Sequence, residues 1–311
     1  MTKNSLIYIA GHTGMVGSAV LRKFRDSGYK NVVLRTRDEL NLLNQDRVMK
    51  FFNDVRPEFV IDCAARVGGI KANSTYPADF LYENMRIQNN LIWYSHVFKV
   101  KKFLFLGSSC VYPLDSTQPM KEGSILSGKF VPSNEGYAVA KVSGIKFCEK
   151  IRAQYAEDFI SCMPTNVYGY NDSFDPENSH VIPALIRKFH EAKERNDQKV
   201  VAWGTGSPRR EFLFVDDLAN AILFLMENPS KYDLVNIGSG KEVTIKELTE
   251  TISEVVDYSG EISWDTSKPD GSPRKLLDVG RLAGMGWVAG TKLKEGLQKT
   301  YNWFLENEVN E

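Results

Sequence analysis

Two stretches carry side chains whose types and spacing could move protons. The first is "FLFLGSSCVYP", Phe103 to Pro113, where an apolar run ends in two hydroxyls and a thiol, Ser108, Ser109 and Cys110. The second is "YAVAK", where Tyr137 and Lys141 stand four apart and so share one face of a helix. A phenol with a pKa near ~10 is a poor acid–base group at neutral pH, and a neighbouring ammonium lowers that value by favouring phenolate. Bringing it to pH ~7 takes about 3 units, or roughly 4 kcal/mol of differential stabilisation. Ser108, at the end of a strand, can hydrogen-bond a carbonyl and hold it beside Tyr137. If the chain stays extended, Ser108 and Cys110 project to one face, so a proton-carrying thiol joins the same carbonyl. The plainer alternatives are a strand stopping at a polar turn, a small buried thiol, and an ordinary helix carrying a buried ring and an exposed amine.

Such residues need a rigid frame. "SLIYIAG", "NVVLRT", "EFVIDCAA", "KFLFLGS" and "FISCMPTNVYG" read as strands rich in Val, Ile and Phe without polar alternation, the pattern of a parallel sheet buried on both faces. Helical patterns near 15–28, 45–55, 77–99 and 137–157 supply the crossovers. The predicted fold is α/β: a Rossmann-type doubly wound parallel sheet with a smaller mixed α/β substrate-binding domain. The rhythm changes after Gly169, with helices expected around 181–195 and 217–228 and a further strand in "DLVNIGSG". The expected division is 1–168 plus about 214–239 for the first domain, and about 169–213 plus 240–311 for the second. Asp216 and Asp217 read as a helix cap.

After the first strand comes "IAGHTGMVGSAV", with Gly11, Gly14 and Gly17 in the order G-x-x-G-x-x-G. In a strand–turn–helix context this predicts dinucleotide binding: glycine lets a pyrophosphate approach the backbone, and the helix N-terminus supplies N–H groups. His12 reads as a bystander in that loop. The second strand ends "VVLRTRDEL", where Arg35 and Arg37 precede Asp38. Guanidinium there suits the 2′-phosphate of NADP. The alternative leaves the arginines solvated and gives the ribose to Asp38.

Lys and Arg number 39 and Asp and Glu 39, so no broad basic field favours nucleic acid. Leu6 to Ala10 is too short an apolar run for a signal-peptide core or a membrane span. Cys63, Cys110, Cys148 and Cys162 lie far apart and the four histidines form no HExxH, so neither a metal site nor a disulfide framework is expected. A reducing, cytoplasmic setting is expected.

"AGHTGMVGSA", "RTRDELNL", "VGGIKANSTYPADF", "LGSSCVYP", "PTNVYG", "NSHVIPALIRKFHEA", "WGTGSPRREFLFVDD" and "SKPDGSPRKLLDV" run in order along almost the whole chain. With them the sequence resembles the extended short-chain dehydrogenase/reductase family, and within it the epimerase–reductases that turn GDP-4-keto-6-deoxy-D-mannose into GDP-L-fucose with NADPH. The resemblance implies inversion at C3 and C5 followed by reduction of the C4 ketone. It matches Ser108, Tyr137 and Lys141 to the reductase triad, and Cys110 and His180 to the pair credited with the epimerisation protons. His180 precedes "VIPALIRKF", and a helix N-terminus biases an imidazole towards its neutral form.

By the same resemblance the cofactor contacts fall on Gly11, His12, Thr13, Gly14, Met15, Val16 and Gly17, on Arg37, Asp38, Glu39, Leu40, Asn41 and Leu42, and on Leu106, Gly107, Ser108 and Ser109. Lys141, Pro164, Thr165, Asn166, Val167 and His180 complete them. Lys188, Trp203, Arg210 and Asp270 match substrate-contacting positions. Thr13 departs from close relatives, which can carry a basic residue there beside the 2′-phosphate, so Arg37 is expected to hold it with less help. Relatives pair through helices like those at 77–99 and 137–157, which implies a homodimer. A 4-epimerase or 4,6-dehydratase of the same fold, or a non-catalytic dinucleotide sensor, are the competing readings. Cys110 with His180 and Arg37 argue against the first, and the intact Tyr137 and Lys141 against the second.

Overall fold

A computed structural model describes residues 1–175, 179–268 and 270–309. The chain runs β1 (Ile7–Ala10), α1 (Met15–Asp26), β2 (Val32–Val33), α2 (Gln45–Val55), β3 (Phe59–Asp62), α3 (Ile70–Thr75), α4 (Pro77–Val97), β4 (Lys102–Leu106), α5 (Glu135–Tyr155) and β5 (Asp158–Pro164). It continues through β6 (Asn166–Tyr168), α6 (Val181–Glu194), β7 (Lys199–Trp203), β8 (Arg209–Phe214), α7 (Val215–Glu227) and β9 (Leu234–Ile237). The last part holds β10 (Glu242–Thr244), α8 (Ile245–Val256), β11 (Glu261–Asp265), β12 (Arg274–Lys275), α9 (Gly280–Gly284) and α10 (Leu293–Asn307).

Six parallel strands form the main sheet in the order β2-β1-β3-β4-β5-β9. Strands β1, β3, β4 and β9 are buried along their whole length, which explains why the sequence shows no polar alternation there. One apolar cluster packs α2, α4 and α5 on one face, and a second packs α1 and α7 on the other. The doubly wound Rossmann-type fold is therefore the observed one. Its strand order reverses between β1 and β3, and ligands of such sheets bind outside the carboxyl ends at that switch.

The stretch "FISCMPTNVYG" is not one strand. It breaks at Thr165: β5 ends beside β9, while β6 leaves the main sheet to pair with β8. The Glu211 carbonyl draws the chain across, accepting from Thr165 Oγ1 at 3.2 Å and Asn166 Nδ2 at 2.8 Å. Around β8, the strands β10, β12 and β6 make a small mixed sheet, β7 pairs with β11, and a third apolar cluster fills the space to α6, α8 and α10. Asp216 and Asp217 do not cap α7. They sit in its first turn, where Asp216 pairs with Arg22 at 2.7 Å and Asp217 accepts from Thr291 N at 2.9 Å. Among the described residues, no helix is long and apolar enough to cross a membrane.

Candidate active site

Beyond β1 the chain turns through Gly11, whose φ is +76°, and a Cβ there would stand 2.8 Å from the backbone of Ala64. Gly17 is tighter: a Cβ would lie 2.0 Å from the Gly11 carbonyl oxygen, so only glycine lets this loop fold onto the first turns of α1. Gly14 caps α1 without a side-chain bond, and no acid occupies the first turn. The amide N–H groups and the positive end of the helix dipole are thus available to an anion. They open into a cleft of about 900 Å³ that Gly11, Thr13, Gly14, Met15, Val16 and Gly17 line. His12 does not line it, and its Nδ1 is buried without a partner.

Arg35, Arg37, Leu40, Asn41 and Leu42 line the next stretch of the cleft. Arg37 is exposed and makes no ion pair among the described residues, while Arg35 lies over the Phe51 ring, 5.6 Å from its centroid. Asp38 and Glu39 do not line the cleft. Glu39 instead accepts from Thr36 N at 2.7 Å and Oγ1 at 3.1 Å, bonds that hold its carboxyl below the usual range. Arg47 clamps the carbonyls of Asp38 and Glu39 at 3.3 and 2.8 Å. An open anion cradle and two guanidinium groups fit a dinucleotide with an extra phosphate, and nothing in this wall offers a carboxylate to a ribose.

The cleft continues over Leu106, Gly107, Ser108, Ser109, Tyr137, Lys141, Pro164, Thr165, Asn166, Val167 and His180. Tyr137 and Lys141 come from the first turns of α5. Gln88 of α4 anchors that helix, donating to the Ala140 carbonyl at 2.6 Å and the Ser143 hydroxyl at 2.9 Å. Lys141 is 3% exposed; its Nζ donates to the Leu106 carbonyl at 2.8 Å and lies 4.6 Å from the Phe105 ring centroid. Burial, partly offset by Asp62, lowers its pKa.

Two expectations about this corner are corrected. The chain does not stay extended: Ser109–Val111 form a 3₁₀ turn that Ser108 caps, its Oγ accepting from Cys110 N at 3.4 Å. Cys110 is 7% exposed and does not line the cleft, yet it remains close enough to Ser108 and Tyr137 to perturb both the phenol and itself. The Tyr137 phenol is also not acidified. Burial pushes its pKa well up, Cys110 and Asp62 add to the rise, and Ser108 opposes it; the Lys141 ammonium stands 5.9 Å from the Tyr137 ring centroid. Burial raises the Cys110 thiol too.

His180 caps α6 and is exposed to the open cleft. Its imidazole is held below the ordinary value by the desolvating walls around it, which is the cause here in place of the helix terminus. The resting corner thus pairs a protonated phenol and thiol with an imidazole biased towards neutrality. That set can both give and take protons at neutral pH.

A second cavity of about 200 Å³ opens beside the first and shares Asn166, Val181 and Phe212 with it. Trp203, Arg210 and Asp270 line it. Trp203 is 69% exposed, with Lys268 5.7 Å from its ring centroid. Asp270 accepts from Thr205 N at 2.9 Å and Oγ1 at 2.6 Å, which lowers its pKa, and burial lowers that of Arg210. Lys188 lines neither cavity; its Nζ donates to the Val201 carbonyl at 2.5 Å.

Some site residues escaped the sequence reading. The turn after β3, from Cys63 to Gly68, forms a wall of the large cleft, with Arg66 tied to Glu83 at 2.5 Å and Asp79 at 3.4 Å. The only sequence signal there is the "VGGI" of the quoted motif. Lys275 lies opposite Arg210 in register, feels Cys110, and makes no ion pair among the described residues.

The chain matches the model of the NAD dependent epimerase/dehydratase family over residues 7–238. It belongs to that family. Within the epimerase/dehydratase family it is 55% identical over 309 residues to a putative GDP-L-fucose synthase 2 of Arabidopsis thaliana, covering 99% of this chain and 94% of that one. It is 52% identical over 311 residues to the GDP-L-fucose synthase of Escherichia coli K12, covering 97% of each. A solved GDP-D-glycero-L-gluco-heptose synthase of Campylobacter jejuni, determined in the presence of NADPH, superposes with a TM-score of 0.91 at 36% identity, covering 99% of each chain.

Proposed function

We propose that the protein is a GDP-L-fucose synthase, which epimerises C3 and C5 of GDP-4-keto-6-deoxy-D-mannose and reduces its C4 ketone with NADPH. The observation that carries this reading is Cys110, whose N–H donates to Ser108 Oγ at 3.4 Å and whose thiol sits in the buried cluster against which Tyr137 packs, in a chain more than half identical to enzymes of that name. A plain 4-epimerase needs the triad but has no use for a second proton carrier beside it.

The glycine turn and the start of α1 would hold the pyrophosphate of NADP, Arg37 and Arg35 its 2′-phosphate, and Leu106, Gly107, Ser109 and Pro164 to Val167 its nicotinamide half. When bound, NADPH supplies the hydride for C4. Ser108 donates a hydrogen bond to the C4 oxygen, and Tyr137 gives that oxygen its proton, with the Lys141 ammonium stabilising the phenolate left behind. The ketone acidifies the hydrogens at C3 and C5, so one ring position serves both carbons. Cys110 and His180 exchange those protons, each carbon needing a base on one face and an acid on the other. Arg210 would meet the diphosphate and Trp203 and Asp270 the guanosine, while Lys188, tied to the Val201 carbonyl outside both cavities, would have to leave that bond to reach the substrate.

The division into an NADP domain (1–168 plus about 214–239) and a GDP-sugar domain (about 169–213 plus 240–311) is supported by the third apolar cluster standing apart from the other two, although Leu277, Leu282 and Trp287 pack with the first domain's clusters and Tyr168 and Phe214 with the third. Exposed Tyr82, Trp93 and Val97 on α4, with Val139 and Tyr155 on α5, support a homodimer closed through those helices. A cytoplasmic enzyme without nucleic-acid or membrane partners completes the reading.

The test mixes protein, NADPH and GDP-4-keto-6-deoxy-D-mannose and follows the loss of nicotinamide absorbance, with the sugar product identified by NMR. GDP-L-fucose is the expected product. A C4-reduced sugar with C3 and C5 unchanged would refute the epimerase half, and no oxidation would refute the whole.

A further inference from the structure

Asp62, the last residue of β3, is 0% exposed. Its strand neighbours in register are Ala10, which leads into the glycine turn, and Phe105, whose ring carries the Lys141 ammonium at 4.6 Å. One carboxylate oxygen accepts from Ala64 N at 3.0 Å, fixing the backbone against which Gly11 packs. The other oxygen is buried with no hydrogen-bond partner. A buried carboxylate with a bare oxygen is costly unless a nearby charge compensates it. Among the described residues, Lys141 is the one cation acting on Asp62, and Asp62 is the foremost anion acting on Lys141.

We propose that Asp62 is the positioning residue for Lys141: a counter-charge set behind it in the core, which keeps the ammonium protonated while Tyr137 transfers its proton. The inference deepens the reductase reading and rests on Tyr137 and Lys141 being the reducing pair. Desolvation alone strips a buried lysine of its proton, and a lysine that has become neutral no longer stabilises phenolate. Asp62 opposes that loss from the end of β3, where it takes no surface from the cleft. Burial lifts its own carboxyl to about 6, which still leaves it ionised at neutral pH. The other titratable groups in range are Tyr8 on β1, Cys63 beside it, Cys110 in the 3₁₀ turn, Tyr137 and Cys148 on α5, and Cys162 on β5. Each of the thiols and phenols has a raised pKa and is neutral near pH 7, so among the described residues the charges acting on this group are Asp62 and Lys141, with Arg35 acting on Tyr8 and Lys275 on Cys110 at its edges.

Asp62→Asn tests this, because its amide oxygen can still accept from Ala64 N while the charge is gone. Lys141 is followed in the ligand-free protein by the NMR signal of its ¹³Cε, assigned by its loss in Lys141→Arg. Removing the carboxylate should lower the pH of its titration by about one to two units. The alkaline limb of kcat should move down with it, so that between pH ~7 and ~9 the variant loses about tenfold more activity than the parent. Should Asp62→Asn not fold, Asp62→Ser is measured, and in the parent the ¹³Cγ of Asp62 and ¹³Cε of Lys141 should each report two inflections as a coupled pair. An unchanged Lys141 titration, parallel pH profiles, or independent single inflections in the parent would overturn the proposal. Because the NMR titration needs no substrate, it can fail while the synthase reading stands.

Discussion

The corner around Tyr137 and the cavity around Arg210 are held in different ways. Tyr137 and Lys141 rise from a 21-residue helix, Ser108 closes a fully buried strand, and Asp62 and Cys110 are buried behind them without lining the cleft. Arg210 and Asp270 lie near the surface on a six-residue strand and a loop, beside an exposed Trp203. Proton transfer tolerates little displacement, so its groups sit on elements locked by packing. Gripping a nucleotide can wait for the ligand. The difference predicts that variants in the corner lose rate without losing the fold, whereas variants in the cavity lose affinity.

The largest effect should come from Tyr137→Phe, which removes the proton given to the C4 oxygen: kcat for reduction falls about 10³-fold with NADPH binding unchanged. Next comes Cys110→Ser, expected to slow solvent-proton exchange at the sugar about 10²-fold, measured by deuterium incorporation. A Cys110→Ser enzyme that exchanges at the parent rate would end the two-chemistry account of the corner. Arg210→Met should raise KM for the GDP-sugar about 10- to 100-fold, the size of a lost charged hydrogen bond, with kcat little altered. Trp203→Ala, removing an exposed ring, should raise KM about tenfold at most. If Arg210→Met lowered kcat as strongly as Tyr137→Phe, the division between rigid chemistry and adaptable binding would not hold.

The smallest effect concerns Asp172, in the loop that leads towards His180. Burial pushes its carboxyl up to about 7, and its second oxygen has no partner. An unfolded chain ionises an aspartate near ~4, so between ~4 and ~7 the folded state keeps a proton that the unfolded state has released, and stability falls as pH rises. Asp172→Asn keeps the acceptor for Ser173 N and removes that fall. Relative to the parent it should be more stable at pH ~8 and no more stable at pH ~4, read as a Tm difference of a few degrees in thermal melts at the higher pH.

The same contrast governs what the sequence could disclose. Helices expected at 15–28, 45–55 and 181–195 are observed at Met15–Asp26, Gln45–Val55 and Val181–Glu194, since apolar periodicity and the glycine turn are local signals. The Tyr137–Lys141 spacing is local too. The 3₁₀ turn at Ser109 is not, because an apolar run gives no notice of where it bends. Neither the fate of the Lys141 ammonium nor a coupling of Asp62 to it follows from spacing, since 79 residues separate Asp62 on β3 from Lys141 on α5. Trp203 and Asp270 have no local pattern of their own; only the family resemblance singled them out, and the structure brings them to one cavity from 67 residues apart.

The most direct measurement uses Tyr137→Phe in deuterium oxide with GDP-4-keto-6-deoxy-D-mannose, reading the label at C3 and C5 by NMR beside nicotinamide absorbance. The account predicts deuterium at both carbons while reduction is almost abolished, and loss of that label when Cys110→Ser is added. Label absent from the single variant, or persisting undiminished in the double variant, would contradict the claim that the two chemistries share one site through different side chains.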